Sequence, residues 1–163
     1  MTDADLVGLA ERLQVLCMGR HLSVAVAESC TGGLIAATIT EVPGSSAYFR
    51  GGVVGYANAA KEDLLDVPRA TLEAHGAVSA QVARAMAEGC RARLQASLAV
   101  AVTGIAGPDG GSTAKPVGLT YLAMASAKPT DVRRFVFVGD RAAVRAGATS
   151  EALAWLIAAA ETT

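Results

Sequence analysis

The hexapeptide Glu28-Ser29-Cys30-Thr31-Gly32-Gly33 sets a hydroxyl between the apolar run Leu22-Ser23-Val24-Ala25-Val26-Ala27 and the segment Leu34-Ile35-Ala36-Ala37-Thr38-Ile39. That order predicts a strand turning into a helix, with a nucleophile-type side chain at the junction. The first N–H groups of a helix have no partner within it, so they can hold a developing oxyanion or a phosphate. Gly32 and Gly33 allow a substrate to approach the backbone closely. Cys30, Thr31, Gly32 and Gly33 are therefore candidate substrate-binding positions. A competing role is structural, because Ser at a helix start is most often a cap. Cys30 is the rival nucleophile, although an unpartnered thiol is usually a small buried packing group. Glu28, the one acid in the motif, is placed to orient the turn.

A serine nucleophile needs a base. The sequence lacks a GxSxG elbow, and its two histidines, His21 and His75, lie in no motif that would make either a base, which disfavours a Ser-His-Asp enzyme. Tyr56-Ala57-Asn58-Ala59-Ala60-Lys61 offers a lysine instead. Asn58 and Lys61 are three apart and share a helix face, and Tyr56 ends the preceding strand near the same edge. Most lysines are solvated surface groups. To act as a base, Lys61 needs a pKa lowered by burial or by a neighbouring cation.

Two further segments suit a ligand. Thr103-Gly104-Ile105-Ala106-Gly107-Pro108-Asp109-Gly110-Gly111-Ser112 begins where a strand ends and has more glycine than a hairpin requires, so Thr103, Gly104 and Gly107 are expected to line the site. It is no phosphate loop of the G-x-x-x-x-G-K-[ST] type, since no glycine immediately precedes Lys115 and Pro116 follows it. Gly139-Asp140-Arg141-Ala142-Ala143-Val144-Arg145 places two guanidinium groups four apart on the first turns of a helix that Asp140 caps. Arg at a helix N-terminus opposes the macrodipole, which favours gripping a phosphate or carboxylate over a purely stabilising role.

The elements that must hold these residues follow from periodicity. Residues 3 to 19 read as an amphipathic helix on Leu6, Leu9, Ala10, Leu13, Val15 and Leu16, stopped by Gly19. A strand over 22 to 27, a helix over 31 to 40, a Pro/Gly turn at 42 to 46 and a glycine-bearing strand from Tyr48 to Tyr56 come next. Helices are predicted over Asn58–Leu65, from Pro68 to about His75, and from the Ser79 cap to about Leu94, three in series covering one face. Ser97–Thr103 is a strand. Val117–Ala125 and Val132–Val138 form an antiparallel hairpin across Lys128-Pro129-Thr130, and a last helix runs to about Ala159. The fold class is α/β: one domain over residues 1–163, a three-layer α/β/α sandwich with a mixed sheet of about five strands and its site at the carboxyl ends of the parallel strands.

Composition narrows the partners. The 163 residues suffice for one domain, and 52% hydrophobic content with 4% aromatics suits closely packed layers better than a nucleic-acid platform. Lys plus Arg (14) nearly balances Asp plus Glu (15), giving no electrostatic case for nucleic acid or an anionic membrane. The expected partner is a small molecule. Cys17, Cys30 and Cys90 are widely spaced and odd in number, so neither a disulfide framework nor a metal site is expected, and a reducing cytoplasm is. The acidic start and the absence of an apolar run near ~20 residues argue against a signal peptide or membrane span. Ala152 to Ala160, with Trp155, could be core or subunit interface, and a homo-oligomer is expected.

Taken in order, Glu28-Ser-Cys-Thr-Gly-Gly-Leu-Ile-Ala-Ala, Val42-Pro-Gly-Ser-Ser, Tyr56-x-Asn-x-x-Lys61, Thr103-Gly-Ile-Ala-Gly-Pro, Lys115-Pro-Val-Gly and Gly139-Asp-Arg141 closely resemble the CinA C-terminal domain family across nearly the whole chain. The resemblance implies a nicotinamide-nucleotide amidase that hydrolyses nicotinamide mononucleotide to nicotinate mononucleotide and ammonia without a cofactor. It also implies Ser29 as nucleophile, Lys61 as general base, and Tyr56 and Thr103 near the reacting centre. Some relatives add an N-terminal domain, and only the stand-alone activity is expected of this chain. Gly55 and Ala57 flank Tyr56 where many relatives are expected to carry Thr and Ser. On this reading N–H groups around Cys30 to Gly33 meet the oxyanion, and Arg141, Arg145 or the glycine-rich loop holds the phosphate. Two other readings stay open: a nucleotide-binding module without turnover, and an amidase for a different small amide.

Overall fold

The central strands are apolar on both faces, which requires cover on both sides. In a computed structural model describing residues 2–163, β1 (Val24–Glu28) and β3 (Leu98–Gly104) occupy the middle of a five-stranded sheet ordered β2-β1-β3-β4-β5. β2 (Phe49–Val54) and β3 run parallel to β1; β4 (Leu119–Ala125) is antiparallel to β3, and β5 (Asp131–Val136) antiparallel to β4. The predicted mixed sheet and its hairpin are both present.

The two faces of the sheet differ in bulk. Val24, Val26, Leu98, Val100 and Val102 pack into a cluster with α1 (Asp3–Arg20), α2 (Leu34–Glu41) and α6 (Arg141–Thr162). Ala25, Ala27, Ala99 and Ala101 point the other way, toward α3 (Asn58–Leu65), α4 (Arg69–His75) and α5 (Ala80–Leu94). Those three helices cover one face, as the sequence indicates. Alanine on that face lets α5 lie close to the strands, and Gly89 of α5 lies hard against the Leu65 backbone carbonyl, where a Cβ would collide. Gly89→Ala is therefore expected to cost about 2–3 kcal/mol despite alanine's better helix propensity, lowering the melting midpoint by roughly 5–10 °C in a calorimetric scan.

Helix ends show where local chemistry was legible. Ser79 accepts from the Val82 N–H at 3.3 Å and Asp140 from the Ala143 N–H at 2.9 Å, the predicted caps. α1 does not stop at Gly19; it continues through Arg20 and ends on His21 in the left-handed conformation. Val15, assigned to the apolar face of α1, is 71% exposed. Trp155 and most of Ala152–Ala160 are buried within the chain itself, so this stretch is core. Among the described residues no helix is long and apolar enough to cross a membrane.

Candidate active site

Ser29 follows β1 directly, and its N–H still donates to the Val102 carbonyl of β3 at 3.0 Å. Alternation along an extended chain sends successive side chains to opposite faces of a sheet. Ser29 accordingly faces α3, whereas Glu28 and Cys30 face α2 and α6. Gly32 and Gly33 have φ of +60° and +96°, which delays the helix to Leu34, three residues later than periodicity suggests. Gly33 occupies the cap position and Ser29 makes no capping bond. The capping alternative for Ser29 is thus removed.

The cap is supplied by Glu28. Its carboxylate, fully buried, accepts from Gly33 N–H at 3.0 Å, Ile35 N–H at 3.1 Å and Ala36 N–H at 2.8 Å. Gly32 N–H donates to the Ser29 carbonyl at 3.0 Å. The expected oxyanion set from Cys30 to Gly33 must therefore be corrected: Gly32 and Gly33 have spent their donors, and only the N–H groups of Cys30 and Thr31 have no acceptor among the described residues.

Lys61 is buried in α3 at 1% exposure, and its Nζ lies 3.1 Å from Ser29 Oγ, 2.8 Å from the Gly55 carbonyl and 2.9 Å from the Tyr56 carbonyl. No carboxylate forms an ion pair with it among the described residues. Burial without a counter-charge favours the neutral amine and pulls its pKa below the ordinary lysine value. The three neighbours accommodate that form: an ammonium would donate to all three, whereas a neutral amine can give its two N–H donors to the two carbonyls and accept from the Ser29 hydroxyl. Such an arrangement can withdraw the hydroxyl proton. Cys30 is a poor rival. Burial pushes its thiol up to about 11, and its sulfur packs beneath Gly104 on the face away from Lys61.

The other predicted residues fall into two groups. Tyr56, Arg141, Arg145 and Gly107 cluster beside the dyad: Arg141 donates to the Tyr56 hydroxyl at 3.1 Å and to the Gly107 carbonyl at 3.0 Å, and Arg145 to the Thr31 carbonyl at 2.8 Å. Tyr56 thus touches Lys61 with its backbone carbonyl, while its phenol belongs to the arginine. Thr103 follows Val102, which pairs with Glu28, so it adjoins Ser29 on the next strand; its hydroxyl donates to the Ala77 carbonyl at 2.8 Å. Asn58 is exposed and its side chain makes no hydrogen bond among the described residues, so sharing a helix turn with Lys61 does not bring it to the dyad. Gly104 allows the close approach of Thr120 and Cys30, since a Cβ there would lie 2.6 Å from Thr120 Oγ1.

A model of the CinA C-terminal domain matches residues 7–160. The chain belongs to that family. A CinA-like protein of Geobacter sulfurreducens is 59% identical over 137 residues, a match covering 84% of this chain but 33% of the relative, so the chain spans about a third of that protein's length. The nicotinamide-nucleotide amidohydrolase PncC of Escherichia coli is 47% identical over 154 residues, covering 94% of this chain and 93% of the relative. The crystal structure of the competence/damage inducible protein CihA from Agrobacterium tumefaciens superposes with a TM-score of 0.92 at 44% identity, covering 97% of this chain and 96% of that one. The fold is that of the CinA superfamily.

Two residues of this CinA-family site carry more than their sequence signal indicated. Glu28 reads as a strand residue with an orienting side chain, yet it closes a helix end. Gly55, a departure from the pattern expected beside Tyr56, sits so near Lys61 that a Cβ would lie 3.4 Å from Lys61 Cγ and 3.3 Å from Leu65. A residue between a strand end and a buried lysine is the signal that marks it.

Proposed function

We propose that this CinA-family domain hydrolyses the carboxamide of nicotinamide mononucleotide through a Ser29–Lys61 dyad, releasing nicotinate mononucleotide and ammonia. The observation that carries the proposal is a buried lysine amine 3.1 Å from a serine hydroxyl with no carboxylate paired to it among the described residues. A domain that only binds nucleotides has no need of an unpaired lysine in its interior, where burial is costly. The amide class and the mononucleotide come from the likeness to the E. coli relative's named activity.

In the proposed reaction Lys61 takes the Ser29 proton as Oγ bonds to the carboxamide carbon, and the carbonyl oxygen becomes an oxyanion held by the Cys30 and Thr31 N–H groups. Lys61 returns the proton to the amide nitrogen, the C–N bond breaks and ammonia leaves an acyl-enzyme. Water then loses a proton to Lys61 as it attacks the acyl carbon, and Ser29 recovers that proton on leaving. Thr103 serves by holding the Ala77 backbone against β3 beside the dyad.

Arg141 is the proposed phosphate ligand. It is exposed, and two of its five donors are used by Gly107 and Tyr56, leaving others toward solvent. Arg145 is the less exposed of the two and donates to the Thr31 carbonyl, so the proposal gives it the turn and Arg141 the phosphate. Arg141→Ala is expected to raise KM for the mononucleotide about 10- to 100-fold with kcat within about threefold, the loss of one charge-assisted contact made equally in ground and transition states. Steady-state ammonia release checks both. The same variant should leave KM for unphosphorylated nicotinamide riboside unchanged, and an equal rise for the riboside would remove Arg141 from phosphate binding.

A further inference from the structure

Glu28 is tied to both halves of the dyad. Its carboxylate takes three N–H groups at the start of α2 and so fixes the turn that carries Ser29. Its backbone carbonyl accepts from Gly55 N–H at 2.9 Å, and the Gly55 carbonyl in turn accepts from Lys61 Nζ at 2.8 Å. One residue thereby sets the position of the hydroxyl and, through one intervening peptide, of the amine. The carboxylate also puts a negative charge where the helix macrodipole is positive, filling from inside the protein the place an anionic ligand takes at an open helix start.

We infer that Glu28 is a positioning residue for the dyad, and that by occupying the α2 N-terminus it reserves the Cys30 and Thr31 N–H pair for a carbonyl oxygen and turns the phosphate end of a substrate away from Ser29 toward Arg141. A helix that begins at its own buried anion has no vacant donors for phosphate. The two donors left in the turn belong to the two residues that directly follow Ser29. The order of groups in the hexapeptide therefore sets the direction in which a substrate lies.

The inference rests on the proposed Ser29 chemistry, and its test uses both the mononucleotide and a substrate-independent probe. Glu28→Gln keeps the side chain's size but replaces one acceptor oxygen with an NH2 group and removes the charge. It is expected to lower kcat for nicotinamide mononucleotide roughly 100-fold with KM changed less than about threefold, the size of effect that misplacing a reacting group has. Labelling by a fluorophosphonate, in which Ser29 Oγ displaces fluoride from phosphorus and its proton passes to Lys61, should slow by a similar factor. Wild-type protein that labels but fails to release ammonia overturns the mononucleotide reading alone. Equal labelling of wild type and Glu28→Gln, including none in either, overturns the role of Glu28. Should Glu28→Gln fail to fold, Glu28→Ala decides: restored folding and labelling in formate but not in isosteric formamide upholds an internal anion, and no restoration overturns it.

Discussion

Ser29→Ala is expected to lower ammonia release from nicotinamide mononucleotide by about 10⁴-fold or more, with mononucleotide affinity kept within about threefold. The change removes one oxygen from a residue that is 9% exposed and whose hydroxyl, among the described residues, hydrogen-bonds Lys61 Nζ alone, so the fold loses no other hydrogen bond. A nucleophile cannot be replaced by better binding, which is why kcat and not KM should carry the loss. Cys30→Ala is the matched control. The two side chains are adjacent in sequence but face opposite layers, and the Cys30 thiol, raised to about 11 by burial, supplies almost no thiolate near neutral pH. Cys30→Ala should therefore stay within about threefold of wild type. Intact-mass spectrometry of quenched reactions supplies the second reading, an acyl adduct in wild type that is missing in Ser29→Ala. Turnover in Ser29→Ala above one-hundredth of wild type (roughly the contribution of a single oxyanion donor), or abolition in Cys30→Ala, would move the nucleophile.

The strand-turn-helix run around Ser29 was legible because burial on both faces of β1 and the paired glycines leave strong local marks. So were the Ser79 and Asp140 caps, where a single side chain and the N–H three residues on make the whole contact. What sequence left open is what depends on distant partners. The carboxylate of Glu28 spans up to eight residues to reach Ala36, which occupies the helix start and leaves Ser29 free of capping. Asn58 and Lys61 share a helix turn, yet only Lys61 lies with Leu65 on the buried side of α3, while Asn58 is exposed. Arg145 has the spacing of a phosphate ligand with Arg141, and one of its donors goes to the Thr31 carbonyl, a partner no local pattern announces. Whether Trp155 lay in a core or an interface was undecidable from period alone, since both demand the same apolar stripe.

Lys61→Met should abolish turnover as fully as loss of the nucleophile, and its stability should separate the base from a structural lysine. Methionine keeps the length of the side chain without the amine, so the variant loses the base together with its bonds to the Gly55 and Tyr56 carbonyls, and the pH dependence tells the two apart. Burial holds the folded-state pKa of Lys61 below 10.5, the value it has in the unfolded chain. The unfolded state then binds more protons than the folded one between the two values, and stability rises with pH across that window. The strain of burying the amine is greatest below the lowered pKa and is gone above 10.5. Wild type should accordingly gain stability relative to Lys61→Met as pH climbs toward 10.5, in urea unfolding at successive pH values. The rate should follow the same proton: kcat/KM climbs as Lys61 deprotonates, with its rising limb below the ordinary lysine range, because only the neutral amine can accept from Ser29. A flat stability difference between the two proteins, or a rate limb at the ordinary lysine value, would mean that Lys61 sits charged in the fold and acts through its charge alone. Coincidence of the two pH dependences is the stronger outcome, since stability and rate then report one buried amine by independent measurements.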